Sequence, residues 1–447
     1  MTWLALDRQY CWHPFTQAQT AEQPLNIVRA QGAYLYDEHN KAYLDAISSW
    51  WVNLHGHAHP TIAQAIAEQA KTLEHVMFGG VTHPPAIQLA QQLIGHLPAP
   101  LQYVFYSDNG ATAVEIALKM AGQYWRNQGS PRKRFLAFQG AYHGDTFGAM
   151  ATGKSCGFYT PFNDWLFEVD FLPYPETWNE HDPEEREAEV WRLLEAYLAR
   201  YSQELVAFIL EPLVQGAAGM RMARPAFVGK LVERIQAEQI PVIFDEVMTG
   251  FGRTGTFFAT EQLAVTPDII CLSKGLTGGF LPMAATVAKP HIYQAFLDDD
   301  VGKALLHGHS YTANPLGCAA ALASLQVFRE ENTLARIQQI TQLQQRLLRQ
   351  LSAHPMVSRA RQRGVITAFE MQHNDPTRLP APWLRAYMRE QGVLLRPLGA
   401  TVYVLPPYCI SDDMLESLYE KITQALDQWS RVNQIGVAHQ PLTTDYF

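Results

Sequence analysis

Cysteine is scarce in this chain: Cys11, Cys156, Cys271, Cys318 and Cys409 are the only five in 447 residues, and none stands in a CxxC spacing. An odd, dispersed set argues for reduced thiols rather than a disulfide framework. A strong excess of one charge is missing as well. Lys and Arg number 34 against 43 Asp and Glu, a net charge of −9, and no basic block runs beside aromatics, so nucleic acid is not an expected partner. No apolar run approaches the length of a membrane span, and Met1-Thr2-Trp3-Leu4-Ala5-Leu6-Asp7-Arg8 holds no signal-peptide core; the expectation is a cytoplasmic protein with no membrane partner. Internal repeats and low-complexity linkers are also lacking. What remains is 47% hydrophobic and 17% charged, which fits an ordinary soluble globular enzyme, with length for two cores or for one large core and a smaller satellite.

Residues 27–46 carry turn signals at Gln31-Gly32 and Glu38-His39-Asn40-Lys41 between short β-type runs, and read as an antiparallel meander. From about residue 60 the pattern alternates. Strands are expected at Tyr103–Ser107, Arg134–Phe138, Leu205–Leu210, Ile240–Phe244, Asp268–Leu272 and Ala284–Ala288, with helices at Ala111–Arg126 and Ala226–Glu238 between them. Such alternation predicts an α/β fold with a doubly wound, mostly parallel sheet. Helices at Ala313–Glu330 and Leu334–Ser352 lead out of it. A mixture of short strands (Val365–Glu370, Val393–Arg396, Val402–Leu405) and helices (Ala381–Glu390, Asp412–Trp429) follows, with a polar, loosely held tail. The expected organisation is a large domain over 60–325 and a smaller α+β domain over 326–447, completed by the N-terminal segment 1–59.

Two of the buried-strand candidates end in chemistry. One closes on Asp245, the other on Ser273-Lys274-Gly275. Ligands of open α/β sheets bind beyond the carboxyl ends of strands. An amine and a carboxylate in one such crevice suit pyridoxal 5'-phosphate (PLP), which the amine binds covalently while the acid keeps the pyridine nitrogen protonated. Taken alone, the Asp is a strand-end cap and the Lys-Gly a solvated turn. Ser107-Asp108-Asn109-Gly110-Ala111-Thr112 brings a strand end, a turn and a helix start together, which serves either as a plain N-cap or as a phosphate site. In Gly140-Ala141-Tyr142-His143-Gly144 the aromatic either lies against a cofactor ring or fills the core. Glu211-Pro212 leads into the Gly/Ala loop 215–219, and His307-Gly308-His309-Ser310 offers donors ahead of a helix.

In that order, Gly110-Ala111, Tyr142-His143-Gly144, Asp245-Glu246, Lys274-Gly275 and Ser310, the chain resembles the class III PLP-dependent aminotransferases of fold type I, essentially end to end. Further stretches narrow the resemblance to the branch that aminates 8-amino-7-oxononanoate in biotin biosynthesis with S-adenosylmethionine as donor. They are Trp12-His13-Pro14-Phe15-Thr16, Ser48-Ser49-Trp50-Trp51, His75-Val76-Met77-Phe78-Gly79-Gly80, Arg396-Pro397 and Leu405-Pro406-Pro407-Tyr408. The resemblance implies that Lys274 carries PLP and shuttles a proton, that Asp245 pairs with the pyridinium, and that Tyr142 stacks near the ring. It implies phosphate binding by Gly110, Ala111 and Thr112, joined by His309 and Ser310 from the partner subunit of a homodimer. Phe15, Trp50, Trp51, Tyr142 and Gly308 would line the substrate pocket, and Arg396 would take a carboxylate.

Three positions depart from that pattern. Phe15 stands where relatives often carry tyrosine, Ala111 where they carry a hydroxyl residue, and Ala217 where glutamate-using relatives carry a glutamate. The last argues against glutamate as donor. A class III transaminase of ω-amino acids or diamines, linked to lysine or pyruvate, is the alternative within the enzymes, and a dimeric PLP-binding scaffold without turnover the alternative outside them. His55, His57 and His59 alternate, but Gly56 and Pro60 impose a loop and no carboxylate or thiol cluster accompanies them, so no metal site is expected.

Overall fold

The computed structural model describes residues 2–179, 181–373 and 379–434. The chain divides into two compact units, Pro60–Ile337, and Met1–His59 with Gln338–Phe447.

The larger unit is built on a seven-stranded sheet. Strands Leu205–Leu210, Val242–Asp245 and Ile269–Leu272 are buried at every position, which is why they read as unbroken apolar runs rather than alternating ones. Across the sheet the order is Tyr103–Ser107, Ala284–Ala288, Ile269–Leu272, Val242–Asp245, Leu205–Leu210, Arg134–Phe138, Asp170–Leu172. The last five pair in parallel. Ala284–Ala288 runs antiparallel to both neighbours. The connection that precedes it holds only the short turn Lys274–Thr277, not the helix that a parallel crossover needs. Asp170–Leu172 has no counterpart among the expected strands: three residues beginning with an acid carry no readable period.

Helix Gly110–Asn127 packs on this sheet through buried Val114, Ala117, Leu118, Ala121 and Trp125, the stripe expected from its spacing. Burying each large apolar side chain contributes about 1.5–3 kcal/mol, and the Trp125 indole N–H donates to Val206 O at 2.9 Å. No helix among the described residues is long and apolar enough to cross a membrane.

The smaller unit holds the expected meander, Ile27–Gln31, Tyr34–Asp37 and Ala42–Asp45, all antiparallel. Val393–Leu394 adds to it parallel to Ala42–Asp45. A second antiparallel sheet contains Val357–Arg363, Ile366–Met371 and Thr401–Val404, and helices Ala381–Glu390 and Asp412–Gln434 complete the unit. That last helix runs past the buried Trp429, whose indole donates to Gln372 O at 3.0 Å. Of the tail read as loosely held, 435–447 lies outside the described residues.

Around the tandem tryptophan the backbone is neither a strand nor an ordinary helix. Ser48, Ser49, Trp50 and Trp51 all take φ between 45° and 73°, a left-handed turn, at a cost of about 1 kcal/mol or more per residue. Asp45 offsets it. Its carboxylate accepts from Ser49 N at 2.9 Å, Ser49 Oγ at 2.7 Å and Ile47 N at 3.3 Å, while Ser48 Oγ donates to Leu405 O at 2.8 Å. His57 also reaches Asp45, through Nε2 at 2.9 Å, and its Nδ1 meets Asn53 Nδ2 at 3.1 Å. Both ring nitrogens of His57 are thus used to brace the turn.

Candidate active site

The register of the central strands brings the acid and the amine to one edge. Asp245 lies opposite Cys271 on the neighbouring parallel strand, three residues before Lys274, and such strands run about 4.8 Å apart. Ser273 Oγ donates to Met283 O at 2.7 Å and fixes the strand end. Lys274 then turns out of the sheet with φ +45°, a left-handed conformation that a non-glycine residue holds only when its surroundings impose it. Desolvation lowers the pKa of its ammonium, opposed by the charges of Asp245 and Glu211, so the neutral amine is more accessible than in an ordinary lysine.

Asp245 is held from two sides. Val247 N donates to Oδ1 at 3.0 Å, and His143 Nδ1 lies 2.8 Å from Oδ2. With the carboxylate ionised, His143 donates. Its Nε2 is buried with no partner among the described residues. The adjacent Glu246 braces the loop that follows. Its carboxylate accepts from Ala259 N at 2.7 Å and Thr260 N at 2.8 Å, and burial pushes its pKa up to about 7.

Asn109 caps helix Gly110–Asn127 in a reciprocal box, its Oδ1 accepting from Thr112 N at 3.0 Å while its own N donates to Thr112 Oγ1 at 3.1 Å. Thr112 Oγ1 in turn donates to Asn109 O at 2.8 Å, so this hydroxyl is engaged in the cap. The amides of Gly110 and Ala111 have no intrahelical acceptor and face outward at the positive end of the helix. Two loops close on them. A Cβ on Gly144 would stand 2.4 Å from Ala111 Cβ, and one on Gly110 would stand 2.6 Å from Val247 Cγ1. Neither position accepts a side chain without moving the cradle.

Tyr142 is fixed through its backbone: its N donates to Glu211 Oε1 at 3.1 Å, while Gly216 N donates to Glu211 Oε2 at 2.8 Å. One carboxylate thereby ties the tyrosine loop to the Gly/Ala loop. Burial pushes Glu211 up to about 7, opposed by His143 and reinforced by Asp245. Burial, with Asp145, also raises the Tyr142 phenol, whose hydroxyl donates to Asp145 Oδ2 at 3.0 Å. His309 Nδ1 lies 2.7 Å from Asp108 Oδ2, beside the cap, and Gly308 and Ser310 flank it in an exposed loop.

The remaining expected residues group in the smaller unit. The Arg396 guanidinium carbon sits 4.4 Å from the centroid of the Trp50 ring, and Phe15 meets that ring edge-on at 5.8 Å. Phe15 and Arg396 line a cavity of about 680 Å³ with Arg385 and Arg389. Burial lowers the Arg396 pKa, opposed by Tyr403 and reinforced by the charge of Arg385; a bound anion would offset that desolvated charge. Trp51 is apart from this group. It is 5% exposed and its indole donates to Tyr403 OH at 3.2 Å, so of the adjacent pair only Trp50 faces open space.

His143 and Glu211 stand within motifs visible in the sequence but have no role of their own there. Their neighbours Tyr142 and Pro212 mark the loops, but a contact between residues 102 apart, His143 and Asp245, leaves no periodic signal.

A paired amine and carboxylate at the carboxyl edge of a mostly parallel sheet, with a capped helix beside them, define the class. The model of the family "Aminotransferase class-III" matches residues 16–426, and the chain belongs to that family. It is an aminotransferase with the α/β architecture of fold type I. The adenosylmethionine-8-amino-7-oxononanoate aminotransferase of Synechococcus elongatus is 50% identical over 94% of this chain and 99% of its own length. The enzyme of that name from Aquifex aeolicus is 39% identical over 94% and 96%. The crystal structure of the Methanocaldococcus jannaschii enzyme, 36% identical, superposes with a TM-score of 0.88 over 95% of this chain and 98% of that one. An amine transaminase from an uncultivated Pseudomonas species in its PLP-bound form is 30% identical, with a TM-score of 0.86 over 94% and 98%.

Proposed function

We propose that this aminotransferase uses PLP to convert 8-amino-7-oxononanoate to 7,8-diaminononanoate, with S-adenosylmethionine as amino donor, in biotin synthesis. The cofactor reading is carried by one observation: Lys274 and Asp245 leave paired parallel strands at the same edge, three residues out of register. The substrate reading rests on full-length relatives that bear the corresponding name. The residues present fit the cofactor. The Gly110 and Ala111 amides suit its phosphate, with buried Ser107 Oγ and His143 Nε2 nearby in sequence to those loops and without partners among the described residues; the glycines at 110 and 144 hold the cradle open.

When bound, PLP supplies a carbonyl for covalent attachment and a protonated ring that takes up the electron pair left on the substrate carbon. Lys274 Nζ would hold the cofactor and, once free of it, would move the proton to and from the substrate carbon. Asp245, braced by His143, would keep the ring nitrogen protonated. Tyr142 would pack near the ring. Trp50 walls the substrate side, with Phe15 against it, and Arg396 takes a substrate carboxylate through its planar fork. Thr112 serves by capping, and Trp51 by supporting the turn that presents Trp50. Ala217 supplies no carboxylate to pair with an active-site arginine, which argues against a glutamate donor. Pro60–Ile337 is the cofactor domain on this reading. The active form is a homodimer in the cytoplasm, each subunit presenting Gly308, His309 and Ser310 to its partner's phosphate site; exposed Leu306 and Tyr311 beside them support burial by a partner.

Offering S-adenosylmethionine, lysine and glutamate separately to the yellow enzyme tests the donor. Bleaching with S-adenosylmethionine alone, with colour restored by the keto acid, is the expected result. Bleaching by lysine or glutamate but not S-adenosylmethionine overturns the donor, and bleaching by none overturns the transaminase. For the acceptor, Arg396→Lys should raise KM for 8-amino-7-oxononanoate about 10- to 100-fold with little change in kcat, because a lysine keeps the charge but loses the bidentate geometry.

A further inference from the structure

A chain of three contacts runs from the surface of helix Gly110–Asn127 to the residue before its cap. Lys119 Nζ lies 2.9 Å from His307 Nδ1, His307 Nε2 lies 2.9 Å from His309 Nε2, and His309 Nδ1 lies 2.7 Å from Asp108 Oδ2. A charged lysine only donates, so His307 Nδ1 must carry a lone pair. The proton of His307 is then on Nε2 and donates to His309 Nε2, which leaves the proton of His309 on Nδ1, facing the carboxylate. With Lys119 charged and Asp108 ionised, no other placement makes all three contacts hydrogen bonds.

We propose that Lys119, His307, His309 and Asp108 form a proton-ordered chain that positions the Gly308–Ser310 loop, and that one added proton unlatches it. The positioning role rests on the reading of this loop as a phosphate-side element. Protonating His307 turns an N–H toward Lys119, and protonating His309 turns one toward the N–H of His307. Either event replaces an attraction by a clash of donors. The groups facing the pair are Lys119 and Glu115 from the helix and Asp108 from the turn. Glu115 is itself occupied, accepting from Gly148 N at 2.6 Å. Burial, then Lys119 and His309, lower the His307 pKa, with Glu115 opposing. A histidine held below its unfolded value stabilises the folded form fully above that value, about 6.5, and loses the contribution as pH falls through the lower folded one. The latch is therefore closed at neutral pH and opens in acid. Within the loop, His309 N donates to Thr312 Oγ1 at 3.0 Å and Thr312 N to His309 O at 3.1 Å, so His309 and Ser310 move as one turn.

The test uses the full-length enzyme with PLP. Imidazole 15N shifts at about pH 7.5, assigned through His307→Gln and His309→Gln, should show His307 protonated on Nε2 and His309 on Nδ1, both neutral. Amide exchange across 307–312, corrected for intrinsic rate, should quicken severalfold as pH falls to about 5.5. Lys119→Met, an exposed position, should let His307 take its proton at higher pH, because the repelling cation is gone, and should flatten the exchange transition, because no donor is left for that proton to face; a merely structural contact would change neither. The opposite tautomers, an imidazolium at neutral pH, or a transition that Lys119→Met leaves in place overturn the proposal. These readouts follow imidazoles and amides rather than turnover, so they stand whether or not the assigned donor and acceptor are correct.

Discussion

Lys274→Ala is expected to remove turnover by about 10⁴-fold or more while the protein still folds, since on the proposed function the amine is both the covalent anchor and the proton carrier. The native position argues for tolerance of the change: Lys274 is half-buried and follows a strand whose end is pinned independently by Ser273 and Met283. Alanine in the left-handed conformation carries the same backbone cost as lysine. Two measurements check it. Thermal unfolding of the cofactor-free variant should match the cofactor-free parent, and the yellow absorbance of covalently held PLP should be absent. Undiminished turnover in a purified variant would remove Lys274 from the chemistry.

Asp245→Asn is expected to lower kcat about 10²- to 10³-fold, about 3–4 kcal/mol of lost stabilisation for the charge developing on the ring. Retention of PLP should suffer much less, because the phosphate cradle and Lys274 remain. The amide is isosteric, and its oxygen still accepts from Val247 N. What changes is the partner of His143: a neutral amide no longer favours a proton on Nδ1. The double variant Asp245→Asn with His143→Gln should therefore lose little more than the single, since both act on one ring nitrogen. Equal losses of single-turnover rate and cofactor affinity would count against this division of labour.

Much of this architecture was legible because burial writes itself into composition. Leu205–Leu210 and Ala284–Ala288 lie where their apolar runs put them, and Gly110–Asn127 exceeds the expected helix by one residue at each end, the usual uncertainty at frayed termini. Features maintained by distant contacts were not legible. The Ser48–Trp51 turn contains no glycine or asparagine to announce its left-handed backbone; Asp45 and Leu405 impose it. Lys274 and Asp245 were readable from strand ends, whereas His143 and Glu211 acquire meaning only through partners far along the chain. Thr112 shows the converse, a residue whose type suited phosphate and whose hydroxyl the helix cap claims first.

The lone antiparallel strand has a consequence for biosynthesis. Tyr103–Ser107, which feeds the turn at Asn109, pairs among the described residues only with Ala284–Ala288, so about 180 further residues must leave the ribosome before that strand finds its neighbour. Contacts so remote in sequence form late. On the proposed function, the turn that would hold the cofactor's phosphate is thus among the last pieces of the nascent domain to set, and vitamin capture would belong to the finished chain rather than to its synthesis.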